Sequence, residues 1–284
     1  MSEASRESEP LLGSVDTLID LLGQVHGRNV SAFDQGFLAR CLERRQNAAA
    51  MPNTANYLGR LRNDPAEAEA FVESLQIGYS EFFRNPLTFA VMEQVVLPRL
   101  LERVGVDRTE LRIWCAGCST GEEAYSVAIL LDELVAVRGR AVPCHIFATD
   151  TCAAGLVTAR AGVYQSQSVQ NLRQKHLDAY FTRAGQVYVI HPRLQDQVDF
   201  SVHDLLDPGT ACPPASIFGD FDLVLCCNLL FYYRPEFRQR IIEKLLCCLG
   251  PSGYLVTGET ERAMMEQTCG VRAVAPPAAV FQKG

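Results

Sequence analysis

The sequence is poor in lysine, poor in net positive charge and without a long apolar run, and each shortage removes a class of function. Lysine occurs only at 175, 244 and 283, so arginine carries nearly all the positive charge. Lys and Arg together number 26 against 33 Asp and Glu, a formal net charge of −7. General affinity for a phosphate backbone or an anionic lipid surface needs a dominant basic face, so neither nucleic-acid binding nor direct membrane insertion is expected. No apolar stretch approaches the roughly 20 residues that span a bilayer. The opening residues MSEASRESEP place no basic stretch ahead of an apolar one, so no export signal is read there. The eleven cysteines are an odd number, with adjacent pairs at Cys226-Cys227 and Cys247-Cys248 and no regular framework. Reduced thiols in a cytoplasmic protein fit that pattern better than disulfides. What is present is an ordinary globular profile: 284 residues, 48% apolar and 21% charged, enough chain to bury a core in one or two domains.

Two grammars divide the chain. Residues 1–12 are polar and read as a disordered tail. From Ser14 the spacing is helical, with Val15, Leu18, Ile19, Leu22 and Val25 on one face, then Phe33, Phe37 and Cys41, then Tyr57, Leu58 and Leu61. Asp64-Pro65-Ala66-Glu67 predicts a helix start with Asp64 as N-cap and Glu67 as capping-box acid. Asn85-Pro86 predicts another start, for a helix running toward Pro98. Past about residue 110, short apolar runs alternate with helical stretches: 111–117, 144–150, 198–202, 221–227 and 253–259 read as strands buried on both faces. Alternation of strand and helix predicts an α/β fold with a parallel, doubly wound sheet. An alternating segment at Val187–Ile190 breaks the rhythm and predicts a small antiparallel β-subdomain at about 180–200. The expected organisation is a helical domain over 13–78, a linker over 79–98 and an α/β domain over 99–284.

In a doubly wound sheet the first strand-to-helix turn is the usual ligand cradle. Here it is Cys115 to Glu123, whose small residues allow close backbone approach. The acids Glu122 and Glu123 would repel phosphate but suit a cation. The next strand ends in Asp150, where a carboxylate can accept ribose hydroxyls. A nucleoside-bearing, unphosphorylated, cationic cofactor fits this combination, and S-adenosylmethionine is the obvious one. Gly117-Cys-Ser119-Thr-Gly121 also matches the nucleophile-elbow pattern, but no histidine follows His203 and no oxyanion loop precedes the turn, against a serine hydrolase. For Cys115-Ala-Gly-Cys118 a zinc site would want a second pair of ligands at knuckle spacing, which Cys226-Cys227 supplies only weakly, so no metal is expected and its thiols read as packing residues.

Three segments carry a family resemblance. Ser80-Glu81-Phe82-Phe83-Arg84-Asn85-Pro86, Cys118 through Ser126, and Asn228-Leu229-Leu230-Phe231-Tyr232-Tyr233 closely resemble, in this order, the signature segments of the bacterial chemotaxis receptor methyltransferases, the CheR family. The resemblance implies an N-terminal all-helical domain and a Rossmann-like S-adenosylmethionine-dependent methyltransferase domain with a small antiparallel β-subdomain. It implies transfer of a methyl group to glutamate carboxylates of chemoreceptors, with S-adenosylhomocysteine as by-product. It assigns the cofactor to Ser80, Arg84, Glu123, Asp150, Asp204, Leu205, Cys227 and Asn228, and places Arg84 and Tyr232 as catalytic residues beside the transferred methyl.

The chain departs from the family pattern in three places. Gly78 replaces a usual Asn, Asp204 a usual Asn and Cys227 a usual Arg, which puts cofactor affinity in question more than identity. The turn Arg183-Ala184-Gly185-Gln186 is short, so no receptor-tether site is expected there. Arg40 and Arg44, one helical turn apart, are the expected contact for the cytoplasmic domain of a receptor, with a solvated arginine edge as the equal alternative. A monomer is expected. A methyltransferase for another protein or small acid, or a non-catalytic cofactor-binding regulator, are the competing readings.

Overall fold

A computed structural model describes residues 4–76, 78–106, 108–216 and 218–284. By internal packing the chain forms two units: residues 1–77 with Phe231–Arg238, and Gly78–Leu230 with Gln239–Gly284. The first contains helices α1 (Ala4–His26), α2 (Gln35–Ala48), α3 (Thr54–Asn63) and α4 (Pro65–Ser74). Of the tail expected over 1–12, residues 1–3 lie outside the described residues and the backbone is helical from Ala4. The apolar faces read from spacing meet in one core: Val15, Leu18 and Leu22 pack with Phe37, Leu38, Tyr57, Leu61 and Phe71. Phe231–Arg238, far along the chain, joins this unit, with the Tyr233 ring stacked on Phe33 at 5.3 Å.

Of the two expected helix starts, one holds in part and the other makes no cap. Asp64 caps α4, its Oδ1 accepting from the N–H groups of Ala66 and Glu67 at 3.1 and 3.2 Å. Glu67 does not close the expected capping box. It is buried, and its Oε1 accepts from the Tyr57 hydroxyl at 2.9 Å and from Arg45 Nε at 3.1 Å. A phenol and a guanidinium satisfy a buried carboxylate better than one backbone N–H, so the tertiary contact wins. Asn85, expected to cap like Asp64, makes no side-chain cap bond to α5 (Pro86–Val91). The helix beyond it widens into a π turn at Met92–Val96 before α6 (Leu97–Arg103), just ahead of Pro98, which has no N–H to give.

The second unit then runs β1 (Leu111–Ala116), α7 (Glu122–Arg138), β2 (Cys144–Asp150), α8 (Ala153–Ala161), β3 (Val163–Gln165), α9 (Gln174–Tyr180), β4 (Phe181–Ala184) and β5 (Val187–Ile190). It continues through α10 (Pro192–Gln195), β6 (Val198–Val202), β7 (Phe221–Cys226), α11 (Pro235–Cys248), β8 (Leu249–Thr257), α12 (Arg262–Glu266), β9 (Val271–Ala273) and β10 (Val280–Lys283). Seven strands form one sheet in the order β6-β2-β1-β7-β8-β10-β9. The first five are parallel, and β10 is antiparallel to both β8 and β9. The α/β doubly wound expectation therefore holds for the five strands that were read, with an antiparallel edge added. A second sheet, β3-β5-β4, is antiparallel and draws in Val163–Gln165, outside the expected 180–200. Strand β7 is buried throughout and β1 almost so, as interior parallel strands should be. No helix of the described residues is long and apolar enough to cross a membrane.

Candidate functional site

Chain order reverses between β1 and β7, which makes the crevice beyond their carboxyl ends the expected ligand position. Turns after β1, β2, β6 and β7 converge there. Gly117 and Cys118 donate their N–H groups to the Thr149 carbonyl at 2.8 and 2.9 Å, which ties the first turn to β2. Gly117 has φ 78°, and a Cβ there would lie 2.9 Å from Leu229 Cδ2, so the turn takes only glycine without strain. Ser119 N–H donates to Asp150 Oδ2 and Cys152 N–H to Asp150 Oδ1, both at 2.8 Å. The Asp150 carboxylate is thus locked at the strand end with lone pairs to spare. His203 N–H donates to the Asp150 carbonyl at 3.1 Å and brings Asp204 and Leu205 alongside. Leu205 is buried, while Asp204 is exposed and its Oδ1 accepts from Leu206 N–H at 2.8 Å.

Glu122 and Glu123 open α7 with different tasks. Glu122 is buried, its Oε2 accepting from Thr120 Oγ1 at 2.6 Å. Burial pushes its carboxyl up in pKa, against hydrogen bonds from the hydroxyls of Thr120, Ser80 and Ser168. Glu123 Oε1 is sealed from solvent and has no hydrogen-bond partner among the described residues. Burial pushes its carboxyl up to about 7; the Cys227 thiol and the Arg84 charge oppose the rise and the Glu261 charge adds to it. Cys115, Cys118 and Cys226 are buried apolar neighbours whose thiols burial holds protonated, so the helix N-terminus does not activate Cys118.

Asn228 sits at φ 59° just after β7, one of six described non-glycine residues at positive φ. Phe83 and Ser119 are two others, so each of the three signature segments holds one strained residue, as functional turns often do. The left-handed Asn228 is held by Glu261, which the sequence reading missed. That carboxylate is fully buried and accepts from Asn228 N–H at 2.8 Å, Leu230 N–H at 2.6 Å and Gly258 N–H at 2.8 Å. The only sequence signal is an acid three residues past Gly258, at the end of a strand. Asn85, freed from capping, donates Nδ2 to Asn228 Oδ1 at 3.4 Å.

The Phe82-Phe83-Arg84 segment is anchored by its aromatics. Phe82 is fully buried, edge-on to Tyr164 and Phe181 at 5.0 and 5.3 Å. Phe83 donates its N–H to Ser126 Oγ at 3.1 Å, and its ring stacks on His176 at 5.2 Å. Arg84 Nη1 donates to the Tyr79 carbonyl at 3.1 Å and its guanidinium lies 4.9 Å from the Tyr79 ring centroid. Ser80, Glu122, Tyr164 and Ser168 line an open groove of about 530 Å³. Tyr232 belongs to the first unit, where its ring packs against Phe37 at 4.9 Å. In that unit Arg44 Nη2 donates to the Ser74 carbonyl, and Arg40 is exposed.

Residues 79–275 match the family described as CheR methyltransferase, SAM binding domain. An uncharacterized 104.1 kDa protein in the hypE 3′ region of Rhodobacter capsulatus is 33% identical over 261 residues, which is 92% of this chain and 26% of that protein. The chemotaxis protein methyltransferase of Listeria innocua is 33% identical over 208 residues, 73% of this chain and 74% of that one. That of Escherichia coli is 32% identical over 228 residues, 78% of this chain and 74% of that one. The chain therefore spans about a quarter of the first relative and about three quarters of the other two.

Proposed function

Since the chain belongs to the CheR methyltransferase family, we propose that it transfers the methyl group of S-adenosylmethionine to glutamate side chains of chemoreceptor cytoplasmic domains, giving γ-glutamyl methyl esters. The observation that carries this reading is Glu123, whose sealed Oε1 has no hydrogen-bond partner among the described residues, at the switch point of the sheet. A buried acceptor of that kind needs a donor, and the cofactor's ammonium group fits it. Asp150, pinned by two N–H groups, keeps lone pairs for ribose hydroxyls. Ser80, Asp204, Leu205, Cys227 and Asn228 are proposed to complete the cofactor's surroundings. The bound cofactor supplies an electrophilic methyl on a sulfonium sulfur.

The chain's own residues need only position and dry the reactants. A free glutamate carboxyl has a pKa of about 4.3 and is ionised at neutral pH, so the attacking group requires no general base. Arg84 is proposed to hold one oxygen of that carboxylate with its planar fork, and Tyr79 keeps the fork in place through its carbonyl and ring. The resemblance gives the Tyr232 hydroxyl the same task, and Tyr232→Phe tests it. Receptor docking is proposed through the exposed Arg40 and its neighbour Arg44.

The decisive assay incubates the protein with tritiated-methyl donor and a receptor cytoplasmic domain, then counts methanol released by base. Arg84→Ala should lower kcat by about 100-fold or more with a smaller change in cofactor affinity, since alignment of reacting groups is worth several kcal/mol. Asp150→Ala should mainly weaken cofactor binding, measured by calorimetry. Unchanged turnover in Arg84→Ala excludes the positioning role. Tight cofactor binding without any methanol release would support a non-catalytic regulator.

A further inference from the structure

One cysteine pair lies apart from the strand-end turns. Cys212 is in the loop between β6 and β7, and Cys248 is the last residue of α11. Their sulfurs are 3.2 Å apart, so an approach of about 1.2 Å would reach the roughly 2.04 Å of a disulfide. The contact is held from several sides. The Cys248 thiol donates to the Ala211 carbonyl at 3.2 Å, and Lys244, one turn earlier, donates to the carbonyls of Asp207 and Thr210 at 2.7 and 2.8 Å. Gly219 packs so closely that a Cβ there would lie 3.1 Å from Cys212 Sγ. The loop is therefore already docked on the helix end, and the sulfurs can bond with little backbone movement.

The two thiols are unequal. Cys212 is partly exposed, whereas Cys248 is buried, its thiol pushed up to about 12 by that burial. An oxidant therefore reaches Cys212 first, and Cys248 is placed to resolve the product. We propose that Cys212 and Cys248 are an oxidation site, forming a reversible disulfide on exposure to a peroxide and pinning the loop after β6 to α11. The Cys212 thiolate attacks one oxygen of hydrogen peroxide, the O–O bond breaks, and hydroxide leaves to give a sulfenic acid. The Cys248 sulfur attacks the Cys212 sulfur, its proton and the sulfenic hydroxyl depart as water, and the S–S bond forms. Two thiols lose two electrons in all, and one peroxide becomes two waters. A dithiol reductant restores both thiols by exchange. The loop begins beside Asp204 and Leu205, so oxidation stiffens the segment leaving β6. The disulfide itself does not depend on the proposed methyltransferase activity.

The test treats the reduced full chain with hydrogen peroxide, alkylates the remaining thiols, and digests without reductant for mass spectrometry. The expected product is a Cys212–Cys248 linked peptide pair, lighter by two hydrogens than its separate members and lost on dithiothreitol treatment. Amide exchange across 204–216 should slow by about tenfold, in line with tightening a local opening. Both changes should persist in Cys247→Ser and vanish in Cys248→Ala. Cys212→Ser, at the more exposed partner, should also abolish the link, so a folding defect in Cys248→Ala leaves the measurement decisive. Recovery of Cys212 as an alkylated thiol after the exposed Cys269 has been oxidised, as a sulfinic acid, or joined to Cys247 overturns the proposal.

Discussion

At the scale of single residues, two carboxylates define the strand-end turns, and they are stabilised in opposite ways. Glu261 is fully buried but surrounded by backbone donors. Glu261→Gln would set an amide among those donors and should cost about 2–3 kcal/mol, read from the urea midpoint. Glu123 has one oxygen sealed without such donors, and burial raises its carboxyl from the ordinary 4.5 to about 7. A cationic ligand pairs with the ionised form, so below about pH 7 binding must expel a proton. Affinity for S-adenosylhomocysteine, which keeps the ammonium, should therefore fall toward tenfold per pH unit below that point and level off above it. Calorimetry at pH 6 and pH 8 checks this, and Glu123→Gln should flatten the profile. For stability the sign is fixed by proton count. Between 4.5 and about 7 the folded state binds more protons than the unfolded one, so this group's contribution is lost as pH rises through that window. Melting of the ligand-free Glu123→Gln variant should accordingly gain on the parent protein more at pH 8 than at pH 5. The sequence showed two acids suited to a cation and the resemblance singled out Glu123, but the burial that raises its carboxyl was not legible there. Asp150 was legible, because the end of a strand is itself a position that a short run of apolar residues reveals.

At the scale of elements, the two proline-led helix starts separate local from tertiary control. Asp64 makes its cap bonds and Asn85 makes none. Asp64→Ala should cost about 1 kcal/mol and Asn85→Ala less than about half of that, compared by urea denaturation. The first unit's helices were readable from their period, and the five parallel strands from apolar runs between helical stretches. Strands β3 and β9 have three residues, too few to display a period, and the four of β10, Val280–Lys283, do not alternate. The π turn before Pro98 likewise has no sequence period of its own, and shows only where the hydrogen bonds are known.

At the scale of the whole molecule, the first unit is discontinuous in sequence. Asp34 N–H donates to the Tyr232 carbonyl at 2.8 Å, and the rings of Tyr232 and Tyr233 pack on Phe37 and Phe33. Removing both rings in a Tyr232→Ala/Tyr233→Ala variant should cost about 1–3 kcal/mol. Native-state hydrogen exchange should speed up in α2 by about tenfold or more while β1 and β2 keep their protection, because cooperative units open separately. Equal loss of protection in both units would argue against this division.

The sequence by itself determined the alternation of strand and helix, the glycine-bearing turn at Gly117, the acid that ends β2 and the three segments that mark the family. These are local properties, written in spacing and residue type within a few positions. Tertiary structure alone decided that Glu67 serves Tyr57 and Arg45 rather than its own helix cap, that Glu261 holds Asn228, that Glu123 Oε1 has no hydrogen-bond partner among the described residues, and that Phe231–Arg238 packs with helices some 200 positions earlier. The physical reason is common to all four. Burial and pairing depend on which distant groups meet, and a one-dimensional pattern shows what each residue can do without showing what it will face.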